Sequence, residues 1–112
     1  MTLVYVALGA ALGAPLRYVT AHLLDGGRLP WGTITVNVVG SFLLGLFSGL
    51  ALTGNAMALL GTGFCGALTT YSAFAVQTHD RGLLAGTWNV LLTVVPALML
   101  CALGFWLGGA QA

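Results

Sequence analysis

Four long apolar runs, almost free of charge, decide what this chain can become. Leu3 to Leu24 is interrupted only by Arg17, while Thr33 to Thr53, Ala56 to Thr78 and Leu83 to Leu107 carry no charged side chain at all. About 20 apolar residues suffice for a helix to cross the hydrocarbon core of a bilayer, so every run is long enough to span. Together the runs use most of the 112 residues and leave no room between them for a separate extramembrane domain. The expected fold is an all-α membrane protein, one four-span transmembrane domain over residues 1–112, with spans at about 3–24, 33–53, 56–78 and 83–107.

Charge agrees with that reading. Only 4% of the residues are charged and 59% are hydrophobic, against about 25% charged in a soluble domain. A surface so poor in charge does not stay in solution, which excludes a soluble enzyme. The net charge of +1 supplies no basic field for nucleic acid and no polybasic patch for anionic lipid. Nothing basic precedes Leu3, so the first run reads as a span rather than a cleaved signal peptide.

Three polar joints separate the spans: Asp25-Gly26-Gly27-Arg28-Leu29-Pro30, Thr53-Gly54-Asn55 and His79-Asp80-Arg81-Gly82. With four spans the first and third joints share one side, and all three arginines (Arg17, Arg28 and Arg81) fall there. The positive-inside rule then places both termini outside. Tyr5 and Trp106 mark one aromatic belt, and Tyr18, Trp31 and Trp88 the other. Cys65 and Cys101 both lie inside spans, where they read as small packing residues.

Glycine recurs at four-residue spacing in Gly9/Gly13, Gly45/Gly49, Gly82/Gly86 and Gly104/Gly108. Such pairs let helix backbones approach closely in lipid, which points to a tight bundle. Four short helices enclose little volume, so a pore is expected to need a second subunit.

Polar groups at membrane depth are the chemically informative ones. Thr33, Asn37 and Ser41 follow each other at four-residue intervals and share one helix face. An unpaired amide in hydrocarbon costs several kcal/mol, so Asn37 must face another helix or water; interhelical hydrogen bonding and pore lining are both open. In the third span, Gly61, Gly63 and Gly66 lead into Leu68-Thr69-Thr70-Tyr71-Ser72-Ala73-Phe74. Glycine and β-branched residues lower helix propensity, so an unwound segment is expected there; the alternative is a regular helix whose hydroxyls bond preceding carbonyls. Freed carbonyls at such a break are ligands for a hard cation. Asn89 and Thr93 form a second polar face, and Pro96 frees a carbonyl near them. There is no glutamate, and Asp25 and Asp80 sit in joints. The groups left to line a path are amide N–H, hydroxyl O–H and aromatic edges, all of positive partial charge. They suit a small, strongly hydrogen-bonding anion and not an organic cation.

In Gly9-Ala10-Ala11-Leu12-Gly13-Ala14-Pro15-Leu16-Arg17-Tyr18, Gly32-Thr33-Ile34-Thr35-Val36-Asn37-Val38-Val39-Gly40-Ser41-Phe42 and Gly63-Phe64-Cys65-Gly66-Ala67-Leu68-Thr69-Thr70-Tyr71-Ser72-Ala73-Phe74, the chain resembles the CrcB/Fluc fluoride ion channels over nearly its whole length. The resemblance implies a passive, fluoride-selective channel of the cell membrane that exports the anion, built as an antiparallel dual-topology dimer with two pores and a third helix broken mid-membrane. It also implies a structural sodium ion at the dimer centre, held by backbone carbonyls that here belong to Gly66 and Thr69. Asn37 matches the family's pore asparagine, Thr33 lies one turn away, and Ser41 continues that face. Tyr71 and Phe74 correspond to two phenylalanines whose ring edges meet the anion, Thr93 stands where the family has a serine, and Arg17 matches the first-span arginine. Departures are Tyr71 for phenylalanine, Ala10 and Ala67 for glycines, and Asn89 for a tyrosine or another polar residue. The arginine bias fits a fixed orientation, which a dual-topology homodimer does not tolerate and a pair of homologous subunits of opposite orientation does; a homodimer and such a heterodimer both stay open, and a non-conducting partner subunit is the alternative reading. A small multidrug-resistance type exporter needs a first-span glutamate, which this chain lacks.

Overall fold

Where helices cannot be driven together by expelling water, contact area has to come from close backbone approach, and glycine sets that approach here. A computed structural model describes residues 2–111. Its elements are α1 (Thr2–Leu24), α2 (Trp31–Gly49), a composite third span, and α6 (Gly82–Gln111). The third span consists of α3 (Gly54–Ala56), a π-helical stretch (Met57–Cys65), α4 (Gly66–Leu68) and α5 (Tyr71–Asp80). Four segments (Thr2–Leu24, Trp31–Gly49, Gly54–Asp80 and Gly82–Ala110) are long and apolar enough to cross a membrane. The longest dimension is 41 Å, close to the 40–45 Å of a bilayer with its headgroups.

The helix α2 lies at the centre. Gly45 and Gly49 meet the carbonyls of Cys101 and Phe105 on α6, while Gly104 and Gly108 meet those of Phe42 and Leu46 on α2. A Cβ at any of the four would overlap the opposing backbone, so the two pairs interlock. On the other side, Gly9 and Gly13 receive the backbone of Leu59 and Phe64. The fourth pair divides its roles: Gly86 packs on the Thr78 carbonyl, whereas Gly82 has φ +85 and turns the chain into α6. The nine-residue π-helical stretch carries Gly61 and Gly63, and its wider turns lie where α1 comes closest.

The second span ends earlier than the sequence pattern implies, at Gly49 rather than Thr53. The reason is a helix-stop motif: Ala51 adopts φ 59, its N–H bonds the Ser48 carbonyl, and the Leu52 N–H bonds Phe47. That pair of bonds is the Schellman pattern, with alanine where glycine is usual. At the other end α2 begins at Trp31 with no local side-chain cap. Asp25 supplies one from across the joint, accepting the Thr33 N–H at 3.0 Å and the Thr33 hydroxyl at 2.7 Å. The two cysteines are free thiols, Cys65 buried and Cys101 half-buried.

Candidate functional site

The third span breaks at Thr69 and Thr70, whose backbones are extended (φ/ψ −85/159 and −150/124). In an unbroken helix each N–H bonds the carbonyl four residues back. Here the Thr70 N–H goes instead to Asn37 Oδ1 at 2.7 Å, and the Asn37 Nδ2 donates to the Thr70 carbonyl at 3.0 Å. The Ala73 N–H goes to Thr70 Oγ1 at 3.2 Å, capping α5. Both donors are thereby taken away from the carbonyls of Gly66 and Thr69, which lose their helical partners. One asparagine amide, paired edge to edge with one residue's backbone, thus holds the break open.

Against this break lies an open cavity of about 650 Å³. Asn37 and Ser41 reach it from α2, Gly66, Thr69, Tyr71 and Phe74 from the third span, and Thr93 from α6. No carboxylate, histidine, lysine or arginine lines it. Hydrogen-bond accounting shows what these groups still offer. An asparagine amide carries two N–H donors; Asn37 gives one to Thr70 and keeps one. Ser41 donates to the Asn37 carbonyl at 2.7 Å, so its oxygen lone pairs are what remains. Thr93 has its hydroxyl 3.4 Å from Asn89 Oδ1, a long bond that is readily given up. The Tyr71 and Phe74 rings lie 6.2 Å apart with a 44° tilt, and Tyr71 is 80% exposed on the cavity's open side.

Behind the cavity, Asn89 is fully buried. Its Nδ2 donates to Thr78 Oγ1 at 2.9 Å, and Thr78 in turn donates to the Phe74 carbonyl at 2.8 Å. The chain from Thr93 through Asn89 and Thr78 to Phe74 fastens α6 to α5. Two candidate residues lie elsewhere. Thr33 is buried at the start of α2 on the Asp25 carboxylate and does not line the cavity. Arg17 is half-buried on α1 and likewise lies outside it.

A family model described as CrcB-like protein, Camphor Resistance (CrcB), matches residues 4–108. The chain belongs to the CrcB family. Among its relatives are a fluoride-specific ion channel FluC 2 of Rhodococcus jostii (47% identical, covering 94% of this chain and 96% of the relative) and a fluoride-specific ion channel FluC 1 of Frankia casuarinae (42% identical, 93% of each). A fluoride-specific ion channel FluC of Rhodospirillum rubrum is 37% identical over 100% of this chain and 95% of its own.

In this CrcB-family chain, sequence reasoning left four contributing residues unassigned. Thr70 is one, because its backbone rather than its side chain is what Asn37 grips. Thr78 is another, and its position four residues after Phe74 was the available signal, since a helical threonine bonds the carbonyl four back. Asp25 and Gln77 are the others, joined at 3.1 Å from Gln77 Nε2 to Asp25 Oδ2. Nothing local in the sequence connects residues 52 apart.

Proposed function

We propose that this chain is the subunit of a passive, fluoride-selective channel that lets fluoride leave the cell. The observation that carries the reading is the Asn37–Thr70 pairing, which sets a buried amide with one free N–H in an uncharged cavity edged by two aromatic rings. The names of the relatives supply the ion. Fluoride is small and holds its water tightly, so crossing a bilayer requires donors that replace that water. Conduction also requires that the ion be released. Neutral donors meet both demands: the Asn37 N–H, the Thr93 hydroxyl once it leaves Asn89, and the positive ring edges of Tyr71 and Phe74. A fixed cation in the cavity would bind the anion and hold it.

The conducting unit in this reading is an antiparallel dual-topology dimer with a second copy or a homologous subunit. The cavity is open on one side, and Tyr71 stands exposed on it, so a single chain leaves the path unwalled. The same pairing of chains accounts for the carbonyls of Gly66 and Thr69. Each is an oxygen ligand deprived of its helical donor, which suits a hard cation such as sodium, and two chains about a two-fold axis supply four such oxygens. Gly66 and Thr69 would hold that structural ion, whose positive charge supports the joint between subunits at the centre of the dimer.

Purified protein reconstituted in potassium fluoride-loaded liposomes tests the function. With a potassium ionophore present, fluoride is expected to leave while chloride in matched vesicles stays trapped. Retention of both anions by vesicles shown to contain folded dimer is the result that overturns the reading.

A further inference from the structure

A second cavity, of about 720 Å³, opens where the first and third joints meet. Arg81 fastens the joints together: its guanidinium donates to the carbonyls of Gly27 at 2.7 Å, Arg28 at 2.9 Å and Asp25 at 3.4 Å. These carbonyls engage both terminal nitrogens without neutralising the charge, and the buried Nε–H has no hydrogen-bond partner among the described residues. The contact brings the Arg28 segment beside Arg81 across 53 residues of sequence, and both arginines line the cavity. Arg28 is exposed, and its side chain has no hydrogen-bond partner among the described residues.

No carboxylate lines this cavity. The Asp25 oxygens are turned to Thr33 and Gln77, and Asp80 is exposed at the end of α5. Two positive charges therefore border it, neither of them in an ion pair among the described residues. The rest is apolar: Trp31 and Trp88, each about half exposed, with Leu83 and Leu84, which are 90% and 72% exposed. Indoles settle at the headgroup level of a bilayer, and one turn further into the span than Trp88 the cavity continues to Leu92. Basic pockets between spans bind anionic headgroups.

We propose that this groove binds an anionic phospholipid, its phosphate on Arg28 and Arg81 beside Leu83 and Leu84, its glycerol region between the indoles of Trp31 and Trp88, and an acyl chain running on to Leu92. A zwitterionic lipid would bring a cationic headgroup against two arginines, so the site discriminates by charge. It is a single site made by two arginines, distinct from a polybasic surface patch, and it lies apart from the cavity at the helix break.

Tryptophan quenching in vesicles tests this without any reliance on ion conduction. The Trp106→Phe variant leaves only the two groove tryptophans of the three in the chain. It is reconstituted in phosphatidylcholine containing a minority of brominated phosphatidylglycerol or, in parallel, brominated phosphatidylcholine. Brominated phosphatidylglycerol is expected to quench preferentially, with about a fivefold advantage in relative affinity for each arginine engaged. Arg28→Gln should reduce that advantage about fivefold while leaving the helical circular dichroism unchanged. Arg28 is the residue to change because its side chain fastens no backbone. Equal quenching by the two lipids, or a preference undiminished by Arg28→Gln, overturns the proposal. So does quenching by neither, which would mean that a second protein chain covers the groove.

Discussion

Replacing Asn37 by alanine removes both hydrogen bonds that hold the helix break and strands the Thr70 N–H and carbonyl. An orphaned buried polar group costs about 1–3 kcal/mol. Thr70 is half-buried beside an open cavity, so water reaches part of it and the lower end applies to each group. The freed Thr70 N–H also has the Gly66 carbonyl available as its helical acceptor. The expected loss is therefore about 2 kcal/mol, a roughly thirtyfold fall in the folded-to-unfolded ratio. Ser41→Ala is the matched control, because the Ser41 hydroxyl bonds only within its own helix and its removal should stay within about 0.5 kcal/mol. Unfolding titrations in mixed SDS and mild-detergent micelles measure the difference, and fluoride efflux is read where each variant is still folded. Efflux is expected to fall in Asn37→Ala, because its free N–H is gone and the break is no longer held. An Asn37→Ala protein as stable as Ser41→Ala, with undiminished efflux, would refute both the clamp and its place on the anion's path.

Two further outcomes check the packing around the site. Gly104→Ala places a methyl group on the Phe42 carbonyl and 2.9 Å from the Leu46 N, so the same titration should show about 1–3 kcal/mol of overpacking loss; Gly109→Ala, with nothing within 4 Å, should change stability by no more than about 0.5 kcal/mol. Asp25→Ala strands the Thr33 N–H and the Gln77 amide and should cost about 2 kcal/mol, whereas Asp25→Asn keeps an acceptor for Thr33 and should recover about half of that; wild-type stability in Asp25→Ala would show that the carboxylate caps nothing of consequence.

Much of the site was legible because the features concerned are local. The run from Gly61 to Phe74 combines poor helix formers with hydroxyls, and the break falls inside it at Thr69 and Thr70. Asn37, Ser41, Tyr71, Phe74 and Thr93 were identifiable one by one, and they meet at one cavity. Thr33 shares a helix face with Asn37 yet lies off the cavity, because a shared face says nothing about what sits opposite each turn, and Asp25 sits opposite that one. The choice left open for Asn37, between helix pairing and cavity lining, has a double answer: the amide pairs with Thr70 and still lines the cavity.

The sequence by itself determined the number of spans, the absence of ionised groups within most of them, and where one helix gives way. These follow from a rule that acts on each segment alone, since every backbone group in lipid must find its partner inside the protein. Only the tertiary structure decided which groups pair across distance: Asn37 with Thr70, Asp25 with Gln77, Arg81 with the Arg28 segment. Those partners depend on how deeply the helices approach and in what register they cross. Interlocked glycine backbones set both, through contacts among all the helices at once that no single stretch of sequence contains.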